Sequence, residues 1–149
     1  MPSSRRWTDE SGSASLEFIG AGLLLLVPIV YLVLTLSALQ CAALAVDGAA
    51  RQATRVFVQG TSIADARSAA SRAIEVTLAD YGVGAPTAVQ ITCRPRPDVC
   101  LTRRGFVTVS ITVVVPLPMP PPVLDLGLPA GLPVSATATE QVSRFWGSR

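Results

Sequence analysis

Glu17 stands at the mouth of an apolar run, residues 18–46, in which 29 consecutive positions hold no Asp, Glu, Lys or Arg. A carboxylate that enters hydrocarbon unpaired costs about a few kcal/mol, so it must take up a proton, stay at the interface or find a cation. One account is local. Ser13 or Ser15 caps a helix, and the dipole and free N–H groups at its start favour a nearby acid. The other account brings an ammonium partner, since a buried carboxylate with a cation is tolerated where an unpaired one is not. A second constellation is Cys93 and Cys100, which bracket Arg94-Pro95-Arg96-Pro97-Asp98-Val99. In an oxidising compartment such a pair reads as a structural disulfide. Closing so small a loop contributes about 2–3 kcal/mol in the chain-entropy model. With no His and no further Cys nearby, metal coordination is disfavoured. The third cysteine, Cys41, sits inside the apolar run as a lone small residue facing lipid.

What the chain lacks narrows its chemistry. All 12 basic residues are Arg, and neither Lys nor His occurs. The commonest general base and metal ligand is therefore missing. No nucleophile, base and orienting group stand out together, so the chain reads as non-enzymatic, with no catalytic residue, metal, cofactor or small-molecule substrate. A net charge of +2 is too near neutral to suggest nucleic acid as a partner. Arg94, Arg96, Arg103 and Arg104 do make one loop basic, as either a solvated loop or a meeting place for an acidic partner or anionic surface.

These residues need elements to position them. Roughly 20 helical residues cross a membrane core, so the run suffices for one span, with a turn or two to spare. A soluble core helix rarely stays apolar for so long. A cleaved secretory signal has an apolar region of only about 7–15 residues after a positive tail, whereas here Asp9 and Glu10 cancel Arg5 and Arg6. Pro28, in mid-span, removes a backbone donor and is either a tolerated membrane proline or a helix kink used in subunit packing. Small pairs at four-residue spacing, Ala38/Ala42 and Ala45/Ala49, would allow close helix approach. Arg51 and Arg55 flank the far end, so the positive-inside rule says little. The paired cysteines and the larger C-terminal part favour a cytoplasmic N-terminus and an outer C-terminal domain.

Beyond the run the helix is expected to continue over 47–60. Ser62 with Asp65 three residues on marks the cap of a second helix. Ile63, Ala66, Ala70, Ile74, Leu78 and Tyr81 share one face, Asp65, Ser68, Arg72 and Glu75 the other, and Gly82 is the stop. Period-2 alternation then predicts strands over 87–93, 105–115 and 133–143. The expected fold class is α+β: a long N-terminal membrane helix, then one amphipathic helix packed on a three-stranded antiparallel sheet. The division is 1–12 tail, 13–46 span, 47–60 continuation and 61–149 outer domain. A Pro-rich insertion, 116–133, holds seven of the 12 prolines among large apolar residues. Polyproline-like extension is expected over 118–122, and the apolar residues after it either fold back or form a contact patch.

The stretch Gly12-Ser13-Ala14-Ser15-Leu16-Glu17-Phe18 resembles the processing signal of type IV-like prepilins. The Leu-rich run with Pro28 and the exit Ala49-Ala50-Arg51-Gln52-Ala53-Thr54-Arg55 narrow the likeness to the TadE-like pseudopilins, or minor pilins, of tight-adherence pilus systems. The likeness covers 12–58 and departs at Gly20-Ala21-Gly22, where the family usually has larger aliphatics. It implies cleavage between Gly12 and Ser13 by a prepilin peptidase. Glu17, followed by Phe18, then pairs with the new amine of a neighbouring pilin or pseudopilin subunit. Expected partners are the membrane, that peptidase and those subunits. From another class, the rival is an uncleaved, signal-anchored extracytoplasmic binding module.

Overall fold

The computed structural model describes residues 13–116 and 131–147. They form α1 (Ser13–Val58), α2 (Ile63–Asp80), β1 (Ala88–Arg94), β2 (Phe106–Pro116) and β3 (Gly131–Gln141). A long apolar helix, a second helix and a three-stranded antiparallel sheet make this the α+β class expected from the sequence. The chain divides into two compact units, Met1–Leu36 and Ser37–Arg149.

In the first unit α1 is apolar on every side. Phe18, Ile19, Leu23 to Leu26 and Leu32 to Leu34 are all exposed, and a helix apolar all round belongs in lipid or in a large core. An 18-residue window of mean hydropathy 2.5 has no share of its surface buried in the protein. Among the described residues this is one helix long and apolar enough to span a membrane, near the N-terminus. The helix runs on through Pro28.

The second unit is organised by β2. Its burial alternates residue by residue: Val107, Val109, Ile111, Val113 and Val115 point into the core, and the Thr and Ser between them are half-buried on the other face. β-Branched side chains in strict alternation suit a half-covered pleated strand. Flanked by β1 and β3 in the order β1-β2-β3, it sets Ile91 opposite Val109 and Val109 opposite Ala138 on the core face. Across the far face Thr108 meets Thr139 at 2.8 Å and Ser110 meets Thr137 at 2.9 Å, hydroxyl to hydroxyl. β3 begins two residues earlier than the alternation suggested and includes Pro133, which an outer strand tolerates because its N–H side can face away from the ladder. Pro116 and Gly131 are register partners at the end of this hairpin, so the Pro-rich connection is shorter than 116–133. The rest of it, 117–130, lies outside the described residues, as do both readings of it.

α2 is bounded by the signals its sequence carries. The Ser62 side chain accepts a hydrogen bond from the Asp65 N–H at 3.1 Å. At the other end Gly82 adopts φ +65°, its N–H donates to the Ala79 carbonyl, and the Val83 N–H donates to the Leu78 carbonyl, both at 2.9 Å. That pair of bonds is a Schellman motif, which needs a left-handed residue where glycine sits. Ala66, Ala70, Ile74 and Leu78 are buried. The two ends of the expected face, Ile63 and Tyr81, are exposed, because they are the entry residue and the C-cap.

The last part of α1 departs from its expected role. Ala42, Ala45, Val46, Ala49, Ala50, Ala53 and Phe57 are buried, and all but Ala42 join the core cluster that holds α2's apolar face and the strand valines. Ala42, Ala45 and Val46, counted with the span by hydropathy, are thus buried by protein, while Ala43 and Leu44 stay exposed. Ala45 and Ala49 serve that packing, and Gly48 lies close to α2, where an added Cβ would sit 3.8 Å from Thr77 Cγ2. The outer face of this stretch carries the Arg51–Asp47 ion pair at 2.9 Å. The part before the first buried residue, 18–41, is about 36 Å long at about 1.5 Å per residue. That is still long enough to span a hydrocarbon core of about 30 Å.

Candidate functional site

The first place of interest is the start of α1. Gly12 lies outside the described residues, so the expected Gly12–Ser13 junction does too. Ser13 and Ser15 are helical residues of α1, whereas an N-cap has non-helical dihedrals, and neither is the cap suggested by sequence. No acid lies in the first turn. Glu17 is one position past it, where the pull of the helix dipole has fallen away. Glu17 and Phe18 are exposed, and no described cation pairs with the carboxylate. A charged group on an otherwise apolar helix surface therefore lacks a described local account.

The second place is at the β1–β2 connection. Cys93 and Cys100 are joined as a disulfide with Cα atoms 5.0 Å apart. Both are buried together with Leu101, so the loop between them is pinned at its two ends to the core. Within it the Val99 N–H donates to the Arg96 carbonyl at 3.3 Å, and the Arg94–Pro95 peptide is cis. The loop then turns tightly into β2, the Gly105 N–H donating to the Thr102 carbonyl at 2.9 Å. Arg104 in this turn has φ +60°, a conformation uncommon for a residue with a Cβ. Its N–H donates to the Val142 carbonyl at 3.1 Å, and its own carbonyl accepts from Gln141 Nε2 at 3.2 Å. Arg103 Nε donates to the Trp146 carbonyl at 2.9 Å.

Arg94, Arg103 and Arg104 are thus gathered near one end of the sheet, and Arg96 projects from the closed loop. No described carboxylate forms an ion pair with any of the four. A shallow concavity at this end is lined by Ile91, Thr92, Arg94, Pro95, Arg104 and Phe106, among others. The arginines and cysteines here are legible in the sequence; Phe106, Gln141 and Trp146 are not. The only available signal was a Phe-Trp pair just after the last alternating strand. Cys41, expected to face lipid, is exposed, its sulfur 4.0 Å from the Tyr81 carbonyl oxygen. Among the described residues, no three of His, Cys, Asp and Glu gather to hold a metal ion.

Together these features define a small α+β domain, closed by one disulfide, whose first helix extends into an apolar segment able to span a membrane. No family model, no curated protein and no solved structure matches the chain. The likeness to TadE-like proteins stands on its motif residues alone.

Proposed function

We propose that the chain is a non-enzymatic, pseudopilin-like subunit. It takes part in assembling a tight-adherence pilus or related secretion machine once a prepilin peptidase has removed residues 1–12. The observation that carries this reading is Glu17, five residues past Gly12, inside α1 rather than at its cap and beside exposed Phe18. A carboxylate carried into hydrocarbon is stabilised by a cation. Cleavage after Gly12 creates one at the same depth, the amine of Ser13 on a neighbouring subunit. The helix then joins subunits as well as anchoring them. The Cys93–Cys100 disulfide supports an outer location for the domain, since such bonds persist outside the cytoplasm, leaving the N-terminus inside.

Intact-mass measurement and N-terminal sequencing of the membrane-extracted chain test this. Co-expressed with a prepilin peptidase, the chain begins at Ser13. A chain that keeps Met1 to Gly12 under those conditions overturns the reading and leaves an uncleaved, signal-anchored binding module.

A further inference from the structure

Among the described residues the order β1-β2-β3 leaves each outer strand with one edge unpaired, and the two edges differ. β3 carries Pro133 and Glu140, and the Thr54 hydroxyl of α1 reaches its Ala138 carbonyl at 3.5 Å. Proline, charge and cover are the means by which natural sheets blunt an edge. β1 has almost none of them: its seven residues include neither Pro nor an acid, and its one charge, Arg94, is at the end. Among the described residues its ladder is made with β2 alone. The helical layer also stops short here. Val89 is 42% exposed and Ile91 half-buried, while their register partners Ile111 and Val109 are fully buried. A strand laid along β1 would complete the backbone ladder and cover Val89.

Charge selects the kind of strand. Arg94 pairs in register with Phe106, and the concavity beside them also takes in Arg104. Arg96 is exposed close by in the disulfide-closed loop. The loop's one acid, Asp98, is exposed and makes no described ion pair, so the basic groups stay unneutralised. We propose that β1 is a docking edge for an extended acidic segment of a partner polypeptide. The segment adds as a fourth strand and sets its carboxylates on Arg94 and Arg104. In strand addition the backbone bonds supply affinity and the side-chain positions supply selection. A second copy of this chain pairing through β1 would bring another Arg94 and no acid, so the charge argues for a different partner.

The test uses the full-length chain in nonionic detergent micelles and a fluorescein-labelled peptide as long as β1, alternating Glu and Val, read by anisotropy. The peptide binds saturably and more weakly as salt rises, and its Lys-for-Glu counterpart does not bind. Arg94→Glu, and separately Arg104→Asn, which keeps a residue tolerant of positive φ, each weaken binding by about tenfold or less, the range of exposed charge pairs. N-Methylation of alternate peptide residues separates strand addition from charge alone. One methylated set loses binding and the other keeps it, because only every second amide of an added strand faces β1. Equal binding by both sets overturns the proposal, as does equal binding of the acidic and basic peptides. Cross-linking of Gln90→Cys chains β1 to β1, undisturbed by the peptide, also overturns it by making a second copy the occupant. The peptide comparisons use the unaltered chain, so a variant that fails to fold does not blunt them.

Discussion

Trp146 Nε1 donates a hydrogen bond to the Gly60 carbonyl at 3.0 Å. The indole is half-buried against the core cluster, and Gly60 follows the last turn of α1, where carbonyls lack helical partners. Trp146 therefore acts as a cap supplied from 86 positions further along the chain, and its carbonyl also accepts from Arg103. Trp146→Phe keeps most of the apolar contact and removes the donor, at a cost of about 1 kcal/mol. For a domain of this size that lowers the thermal midpoint by about 4–8 °C. The unfolding transition followed by far-UV circular dichroism in detergent checks it; an unchanged midpoint would mean the bond contributes nothing.

Gly60 is constrained by space. An added Cβ would lie 2.6 Å from the Ala66 Cβ and 2.9 Å from its Cα, and Ala66 is fully buried. Neither contact is with a flexible side-chain end, so backbone must move. Gly60→Ala is expected to destabilise by about 1–3 kcal/mol, the usual range for overpacking. Because the clash includes the Ala66 methyl, Gly60→Ala combined with Ala66→Gly should cost less than the two single changes summed. Simple additivity in that cycle would count against a direct contact.

The second unit was the more legible part of the chain because its signals are local. Val107 to Val115 alternate in the sequence as they do in burial, and Ser62, Asp65 and Gly82 mark the ends of α2 by chemistry that acts within a few residues. The change of surroundings along α1 was not legible from hydropathy. Ala45 and Ala49 are equally apolar whether they face lipid or protein, and only elements encoded later in the chain decide which. A weak clue was present: Asp47, Arg51 and Arg55 at four-residue spacing lie on the side away from Ala45, Ala49 and Ala53, as on a helix half-covered by protein. Long-range partners such as Trp146 for Gly60 leave no periodic trace, and the edge site at β1 depends on which strand ends up outermost.

The disulfide should act mainly on the unfolded chain. Cys93 and Cys100 are separated by seven positions, and opening so short a loop costs about 2–3 kcal/mol in the chain-entropy model. Cys93→Ser with Cys100→Ser should lower the denaturation midpoint correspondingly. It also places two hydroxyls at buried positions, so chemical reduction of the unaltered chain is the cleaner comparison. If reduction leaves the midpoint unmoved, the loop is held by Leu101 and its backbone bonds instead.

Glu17→Gln tests the role proposed for the start of α1. The amide has nearly the shape of the carboxylate and lacks its charge, and Glu17 is exposed on a helix whose first fully buried residue is Ala42. Folding of the domain and membrane insertion should therefore be unchanged, by circular dichroism and by fractionation. Cleavage between Gly12 and Ser13 should also proceed, because the junction itself is unaltered. Recovery of the chain in filaments or in cross-linked subunit pairs should fall sharply, since an ammonium in a low-dielectric setting gains far more from a carboxylate than from an amide. Glu17→Asp should restore part of the loss by keeping the charge on a shorter stem. If Glu17→Gln assembles as well as the unaltered chain, the carboxylate has no partner in assembly. If Glu17→Gln instead fails to insert, Glu17 belongs to the interface and not to a subunit pair.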